Sequence, residues 1–331
     1  MEVVLLAAGF AGVLAGALLF TNAVEWAGNR LELGVGAVGT ILAAVSTALP
    51  ESVIPVVAIL RGDPSSTDVA IGAIVGAPFM LGTIAMALMG LSVLGFSRRR
   101  AQGPVLRLDR GIVRRDLVFF LVLLSAALLL GLGAPSSLRY VLAPLFVVAY
   151  CGYVVVTIRR GGAVQADDEL EPLLADPSKE NPPASAVIAL QFVVGLGLIV
   201  GGAHFIVEEL IAIAERIDVS PLVLALLIAP LATELPEKAN SVLWLREGKD
   251  SLALGNVTGA MVFQSSVPVA IGVAFTGWKL DGAAWLAGVL ALVGGAVALW
   301  TIRRRGRFSF GPIVAWLGLF TTFATLVWLV A

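Results

Sequence analysis

The chain is 331 residues long, 59% apolar and only 14% charged, with a formal net charge of −1. Soluble globular domains carry about 25% charged residues, so most of this chain is expected in lipid. A single cysteine (Cys151) and a single histidine (His204) exclude a disulfide framework and a thiolate metal cluster, which leaves carboxylates as the main candidate chemistry. The basic residues lie in loops between apolar runs, a pattern that predicts no nucleic-acid partner.

Ten charge-poor runs are each long enough to cross a bilayer as a helix. A transmembrane helix needs roughly 20 apolar residues, because each backbone group in hydrocarbon must be paired internally. The residues around Pro135 predict a tight turn between the fourth and fifth runs. Glu2, in place of a basic segment, favours a first span over a cleaved signal peptide. We therefore expect an all-α integral membrane protein whose ten transmembrane helices cover approximately residues 3–24, 35–60, 69–97, 117–138, 140–158, 185–207, 219–245, 251–278, 282–302 and 308–331.

The basic residues predict which side of the membrane each loop faces. If the ten spans alternate, the loops after odd-numbered spans hold most of the lysines and arginines, and cytoplasmic loops are the ones that carry such an excess. Both termini are therefore expected on the external side. The residues on the cytoplasmic side are Arg30, Arg98, Arg99, Arg100, Arg107, Arg110, Arg114, Arg115, Arg159, Arg160, Lys179, Arg246, Lys249, Arg303, Arg304, Arg305 and Arg307; those opposite are Arg61, Arg139, Arg216 and Lys279.

A polar stretch at residues 159–184 separates two halves of five spans each, residues 1–158 and 185–331. The stretch is rich in acidic residues and proline, including Asp167, Asp168, Glu169 and Glu171. This composition is typical of a mobile, solvated linker, which we expect on the cytoplasmic side. A regulatory ion site within it is the alternative.

The two halves carry copies of one motif. Residues 46–51 read Ser-Thr-Ala-Leu-Pro-Glu and residues 232–237 read Ala-Thr-Glu-Leu-Pro-Glu, so both contain Thr-x-Leu-Pro-Glu. Because five spans separate the copies, they cross the membrane in opposite directions, an arrangement typical of secondary transporters. The next span of each half repeats a pair of glycines that favours close helix packing: Gly72 and Gly76, then Gly255 and Gly259.

Glu51 and Glu237 end the two motifs and are the candidate ion ligands. An ionisable residue at mid-membrane costs roughly 2.5–3.5 kcal/mol on insertion scales and marks a functional site by default. Proline frees a carbonyl within a helix, so each motif span is expected to be kinked or broken. Carbonyls, the hydroxyls of Thr47 and Thr233, and two carboxylates suit a hard cation such as Ca²⁺ or Na⁺. The alternative, that each Glu is neutral or paired and only packs the helices, does not explain two mirrored copies.

At these motifs the chain resembles the cation/calcium antiporter superfamily, of the sodium/calcium exchanger type. Each inverted repeat of that family carries Gly-Thr-Ser-x-Pro-Glu, followed by Gly-Asn-x-x-Gly-Ser-Asn-x-Phe-Asn or a near variant. The resemblance covers the topology of essentially the whole chain and implies ten spans with external termini. The ion-binding residues that it implies are the carboxylates Glu51 and Glu237 as metal ligands, Thr47 and Thr233, Gln264 at a polar ligand position, and Ser46 and Glu234 within the motifs.

The chain departs from the family motif at oxygen-bearing positions. The serine of the first motif is Ala48 in one repeat and Glu234 in the other. The asparagine that ends the second motif is Leu81 in the first repeat. With fewer oxygens available, a multi-sodium stoichiometry is not expected.

Lys238 follows Glu237 directly and lies four residues after Glu234, a spacing that puts Glu234 and Lys238 on one helix face. One interpretation is that this pair only stabilises a local substitution. The other is that the ammonium occupies the place of a monovalent cation, which would leave a proton or a divalent ion as the exchanged species. A Lys238→Ala protein separates the two.

Weaker candidates lie near helix ends. Asn22 with Glu25, and Glu208 with Glu209, are more simply interfacial groups than the lining of an ion entry path. His204 is more simply a packed or interfacial histidine than a proton relay.

The sequence as a whole predicts a secondary antiporter that exchanges a cation, calcium by expectation, for sodium or protons by alternating access. Cation channel activity and a transporter relative with altered ion specificity are the alternatives, and an enzyme is disfavoured because the paired carboxylates are central. No cofactor is expected, and the partners are small cations and lipid. We expect a multi-pass protein of a prokaryotic plasma membrane.

Overall fold

The computed structural model describes residues 1–30, 43–159, 172–176, 183–280, 282–304 and 307–330. Within these ranges, the side chains at 29, 43–50, 158, 232, 235–237, 304 and 328–330 lie outside the description. The described chain is helical apart from turns, loops and one isolated antiparallel bridge between Val105 and Arg307.

Each of the ten predicted runs overlaps a different helix, although the fourth run also reaches the start of α5 and residues 35–42 of the second lie outside the description. Helix α3 contains a π turn at Leu81–Ala85, and α8 is interrupted at Ser265 and Ser266. The helices are α1 (Glu2–Arg30), α2 (Ala43–Arg61), α3 (Pro64–Gly95), α4 (Arg110–Gly131), α5 (Ser136–Arg159), α6 (Ser185–Arg216), α7 (Pro221–Glu247), α8 (Asp250–Phe275), α9 (Gly282–Arg304) and α10 (Phe310–Val330).

Seven of the described helices are long and apolar enough to cross a membrane: α1, α3, α5, α6, α8, α9 and α10. Only 11% of the apolar window of α5 is buried in the protein, as expected for a helix whose sides meet lipid. Helix α4 carries Arg114, Arg115 and Asp116 within its apolar stretch, and parts of α2 and α7 lie outside the described side chains. The described chain is therefore an all-helical, multi-pass membrane protein, while the ten-span count stays a prediction.

Helix α4 lies seven residues earlier than the predicted fourth span, at 110–131 instead of 117–138. The Asp109 carboxylate caps its first turn by accepting a hydrogen bond from the Gly111 backbone N–H at 2.8 Å. Gly133, with φ +105°, adopts a conformation that side chains disfavour, and the helix has ended before it. The predicted bounds were wrong because a polar first turn can extend an apolar helix and a left-handed glycine can stop one early.

Helix α3 begins at an acidic cap outside its apolar stretch. The Asp63 carboxylate accepts hydrogen bonds from the Ser66 backbone N–H at 2.8 Å and from the Ser66 hydroxyl at 2.6 Å. Pro64 occupies the first turn, where its missing N–H costs nothing. The hydrogen bonds from Ser66 lower the pKa of the Asp63 carboxyl below its ordinary value.

Helices α1 and α6 pack with their backbones in contact. A Cβ added to Gly16 would lie 2.7 Å from the Gly195 carbonyl oxygen, and one added to Gly202 would lie 2.6 Å from the Gly9 carbonyl oxygen. Both distances are shorter than real Cβ atoms tolerate, so these positions require glycine. Small residues permit such an approach between helices in a membrane.

Helices α3, α4, α5, α7, α8, α9 and α10 enclose the main core. The indole N–H of Trp278 donates to the Ala127 carbonyl at 2.9 Å, and that of Trp316 donates to the Gly294 carbonyl at 3.0 Å, so both buried indoles have partners. Its largest fully buried side chains include Phe79, Met86, Phe120, Trp278, Phe308, Trp316 and Phe323.

A buried ion pair joins the α3–α4 loop to the start of α8. The Arg100 guanidinium lies 2.7 Å from Oδ1 of Asp250 and donates to its Oδ2 at 2.9 Å. The Arg107 backbone N–H also donates to Oδ2, at 2.7 Å. Both side chains of the pair are fully buried, so this loop and the α7–α8 turn are fixed to each other.

Residues 172–176 are packed against α1 and α6. The Leu174 N–H donates to Oδ1 of Asn22 at 3.0 Å, and the Ala175 N–H donates to Oε1 of Gln191 at 2.7 Å. Leu173 is buried beside Trp26. The prediction of a mobile linker is therefore wrong for these five residues, because two buried amides satisfy their backbone. The acidic residues 167–171 lie outside the described chain.

Candidate functional site

Helices α3 and α8 are irregular at matching positions. Gly255 follows Gly72 by 183 residues, and the same offset relates Ser266 to Thr83. The Thr83 hydroxyl donates to the Phe79 carbonyl at 2.6 Å, and the Ser266 hydroxyl donates to the Val262 carbonyl, the counterpart of Phe79, at 2.7 Å. The internal repeat seen in the sequence thus extends to local hydrogen bonding.

The helix interruptions do not lie where the motif prolines predicted them. Helices α2 and α7 run without a break through Pro50 and Pro236, so the expectation of a break there was wrong. In α8, Pro268 has no N–H to donate to the Gln264 carbonyl one turn earlier. The Ser265 and Ser266 hydroxyls bond back to the Val262 carbonyl and compete with the helical ladder.

Glu51 and Gln264 meet across the two halves of the chain. The Gln264 side-chain amide, through Nε2, donates a hydrogen bond to Oε2 of Glu51. Gln264 is buried and Glu51 is partly buried. Gln264 is the last residue of α8 before its interruption. The structure therefore brings one motif carboxylate of the first half to a polar side chain at the interruption in the second half.

Glu234 and Lys238 form a buried ion pair one helical turn apart on α7. The Lys238 Nζ lies 2.8 Å from Oε2 of Glu234, and their side chains are 4% and 6% exposed respectively. Thr233, also buried, donates its hydroxyl to the Ala229 carbonyl at 3.2 Å, which leaves its lone pairs as acceptors. The pairing predicted from their spacing is confirmed.

The remaining predicted ligands are placed by their backbone. Ser46 and Thr47 lie on α2 and Glu237 lies on α7, but their side chains fall outside the described part of the structure. Their roles as ligands stay predictions. Among the side chains that are described, no three His, Cys, Asp or Glu residues come together as a metal-binding cluster.

The repeated glycines differ in their surroundings. A Cβ on Gly76 would strike the Leu226 carbonyl oxygen, and one on Gly72 would strike that of Leu222, so α3 lies flush against α7. Around their counterparts Gly255 and Gly259, no described residue lies within 4 Å of the added Cβ. The expected close packing is therefore observed in the first repeat, and among the described residues it is not observed in the second.

A buried polar cluster around Asp116 was not predicted from the sequence. The Asp116 carboxylate accepts hydrogen bonds from the Tyr153 hydroxyl and the Thr258 hydroxyl, each at 2.8 Å. Arg115 lies 3.4 Å from the same carboxylate. Asp116 thus joins α4 to α5 and to α8, where its partner Thr258 directly precedes Gly259. Because Asp116 follows Arg114 and Arg115, it resembles a solvated charge in a loop. No pattern in the sequence distinguishes such a residue from a buried carboxylate.

The weaker candidates have structural roles. The Gln191 amide donates to Oδ1 of Asn22 at 2.8 Å, so Asn22 helps hold residues 172–176. His204 lies 3.8 Å from Glu208, with both side chains more than half exposed, as an interfacial pair would be.

The fold defines a multi-pass helical membrane protein, and comparison with known families gives its class. A model described as "Sodium/calcium exchanger protein" matches residues 1–159 and 187–329. The chain therefore belongs to the sodium/calcium exchanger family. This is a family of transporters of small cations.

Curated relatives come from prokaryotes. The putative antiporter CaxA of Alkalimonas amylolytica is 26% identical over 288 residues, which cover 84% of each chain. The inner membrane protein YrbG of Escherichia coli is 23% identical over 297 residues, covering 88% of this chain and 84% of its own length. The chain is accordingly a multi-pass protein of a prokaryotic plasma membrane.

Solved structures share the fold. The H⁺/Ca²⁺ exchanger CAX superimposes with a TM-score of 0.76 at 18% identity, over 98% of this chain and 82% of that one. The sodium-calcium exchanger NCX_Mj gives a TM-score of 0.57 at 18% identity, over 98% of each chain. These two exchangers differ in the coupling ion that their names give, and both share the architecture of this chain.

Proposed function

We propose that this protein is a ten-span antiporter with external termini that exchanges calcium for sodium or protons. Glu51 and Glu237 are the central ion ligands, with Thr47, Thr233, Gln264, Ser46 and Glu234 around them. Two carboxylates balance one divalent ion, and carboxylate, amide and hydroxyl oxygens are the ligands that Ca²⁺ prefers. The membership of the family and the names of its solved relatives support calcium as the cargo.

The contact between Glu51 and Gln264 carries the proposal. It joins a carboxylate of the first half to the point where α8 is interrupted, so a ligand from each half lies at one position. Because Pro268 cannot donate to the Gln264 carbonyl, that carbonyl is available beside the amide. A cation bound by Glu51 would draw the Gln264 side-chain oxygen and this carbonyl towards it.

The packing of the helices in two groups supports alternating access. Helices α1 and α6 form a pair held by glycine contacts, while α3, α4, α8, α9 and α10 share the main core. Displacement of one body against the other would expose the site to each side in turn.

The test is flux of labelled calcium by the purified full chain in proteoliposomes, with a sodium or a proton gradient imposed separately. We expect uptake only when a counter-ion gradient is present. Glu51→Gln and Glu237→Gln each remove a charged ligand, worth about 1.5–3 kcal/mol, and should slow exchange roughly tenfold or more.

Glu247→Gln is the matched control, because Glu247 lies on the same helix as Glu237 but is largely exposed. It should leave exchange unchanged. Calcium flux that ignores both counter-ion gradients would identify a channel and contradict the proposal.

A further inference from the structure

We infer that Lys238 is a fixed cation of the transport site, and that its ammonium takes the place of a sodium or potassium ion on the second-repeat side. The exchange cycle would then run without either ion. The inference rests on the proposed function, because it concerns the same central site. It is carried by three observations: a neutralised pair, a broken internal symmetry and an apolar wall.

The pair is internally neutral and withdrawn from water. The Lys238 Nζ lies 2.8 Å from Glu234 Oε2, and neither side chain exceeds 6% exposure. Removing one partner of a buried pair leaves an uncompensated charge, which is far costlier than the pair itself. An ammonium covalently attached to the protein is also always at its site, whereas a free ion must enter and lose its water. The second-repeat side therefore already holds one positive charge.

The internal repeat shows that this arrangement is confined to one half. The motif offset relates Glu234 and Lys238 to Ala48 and Ser52, neither of which carries a charge. The helix offset relates Gln264 to Leu81. Glu51, the carboxylate of the first repeat, therefore meets the amide of Gln264. The residue of the first repeat that corresponds to Gln264 is Leu81, which offers no polar ligand. Leu81 lies beside Glu234 and Lys238, so the lysine is found where the polar ligand is missing.

The described residues around the pair offer few oxygens to a free ion. A cavity of about 30 Å³, which has room for one water molecule, lies against Glu234 and Lys238. Its other walls are the π turn of α3, including Leu81 and Ile84, and Pro230 and Leu231 of α7. Sodium requires several oxygen ligands to replace its water. An ammonium paired with the Glu234 carboxylate is better suited to this wall than a free sodium ion.

The test measures monovalent cation binding by the purified full chain through its thermal unfolding in sodium, potassium or methylammonium chloride, against choline chloride at equal ionic strength. Wild type should melt at the same temperature in all four salts. Lys238→Ala leaves the Glu234 charge unmatched, so a small cation should bind there and raise its melting temperature by at least ~2 °C over choline. Lys249→Ala is the matched control, because Lys249 is an exposed lysine between α7 and α8. This variant should behave as wild type.

The outcomes separate this inference from the proposed function. Lys238→Ala that melts alike in every salt, or wild type that is itself stabilised by sodium, overturns the fixed-cation role even if calcium exchange is intact. If wild type exchanges no calcium, the proposed function fails while the melting data still report on cation binding. A Lys238→Ala protein that is monodisperse only with a small cation supports the inference, and one that is monodisperse in none of the salts counts against it. The Glu234→Gln, Lys238→Met double variant carries no charge at the pair and should show no salt-specific shift.

Discussion

Arg100 and Asp250 form an ion pair with two close contacts, 2.7 and 2.9 Å, and neither side chain is exposed. Removing the negative partner would strand a buried guanidinium. Asp250→Asn is therefore expected to lower the free energy of unfolding by about 3–5 kcal/mol. Chemical denaturation of the purified protein in detergent measures the loss.

Adding Arg100→Met to Asp250→Asn should restore part of that stability, because it removes the stranded charge while the asparagine can still accept from the Arg107 N–H. Lys249→Ala, next to Asp250 in sequence but in an exposed pair, should change the free energy of unfolding by no more than about 1 kcal/mol. Equal losses for Asp250→Asn and the double variant would show that the charge is not what holds this loop.

The α1–α6 contact predicts opposite effects at adjacent glycines. Gly202→Ala pushes a Cβ against the Gly9 carbonyl at 2.6 Å and should cost about 1–3 kcal/mol. Gly201→Ala faces open space and should be neutral or stabilising by about 0.5–1 kcal/mol, since alanine favours a helix over glycine. Thermal unfolding of both variants checks the pair. Similar melting temperatures would mean that the two helices are less closely packed than the structure has them.

The packing of residues 172–176 predicts a contrast between two neighbouring leucines. Leu173 is 1% exposed and Leu174 is 53% exposed. Leu173→Asp places a charge in an apolar contact and should release this stretch, so limited proteolysis between the two halves should become faster. Leu174→Asp should be cut at the wild-type rate. Unchanged cleavage of Leu173→Asp would show that the amides of Asn22 and Gln191 suffice to hold the segment.

The Asp63 cap predicts a pH-dependent contribution to stability. Because the pKa of its carboxyl is lowered in the folded protein, the stabilisation is fully present above the unfolded-state pKa, about 4, and is lost as the pH falls through the folded-state value. Asp63→Ala should therefore cost about 1 kcal/mol at pH 7 and progressively less below pH ~4. Melting temperatures of wild type and variant, compared across this range, would contradict the capping role if their difference stayed constant.

Much of this arrangement could be predicted from the sequence, since lipid imposes simple requirements on it. Apolar runs of spanning length located the helices, and the repeated Thr-x-Leu-Pro-Glu singled out Glu51, which meets Gln264, and led to the paired Glu234 and Lys238. The resemblance to a known family pointed to Gln264. These inferences depend only on local residue types and on repetition, which a single sequence contains.

What could not be predicted depends on contacts between distant helices. Whether Pro50 breaks α2 or is tolerated depends on the neighbours of that helix, while the interruption of α8 arises from Ser265, Ser266 and Pro268 acting together. Asp116 is buried only because Tyr153 and Thr258 reach it from two other helices. The spacing of residues along the sequence does not reveal which residues of other helices will contact them.

The glycine contact between α1 and α6 has a mechanical consequence. Side chains of the facing helix fill the same notches, with Ile199 against Gly16 and Val13 against Gly202. The backbone contacts and these side chains together fix one axial register between the two helices. A rearrangement of the protein would therefore carry α1 and α6 as one unit, and a methyl group at Gly16 or Gly202 would force them apart.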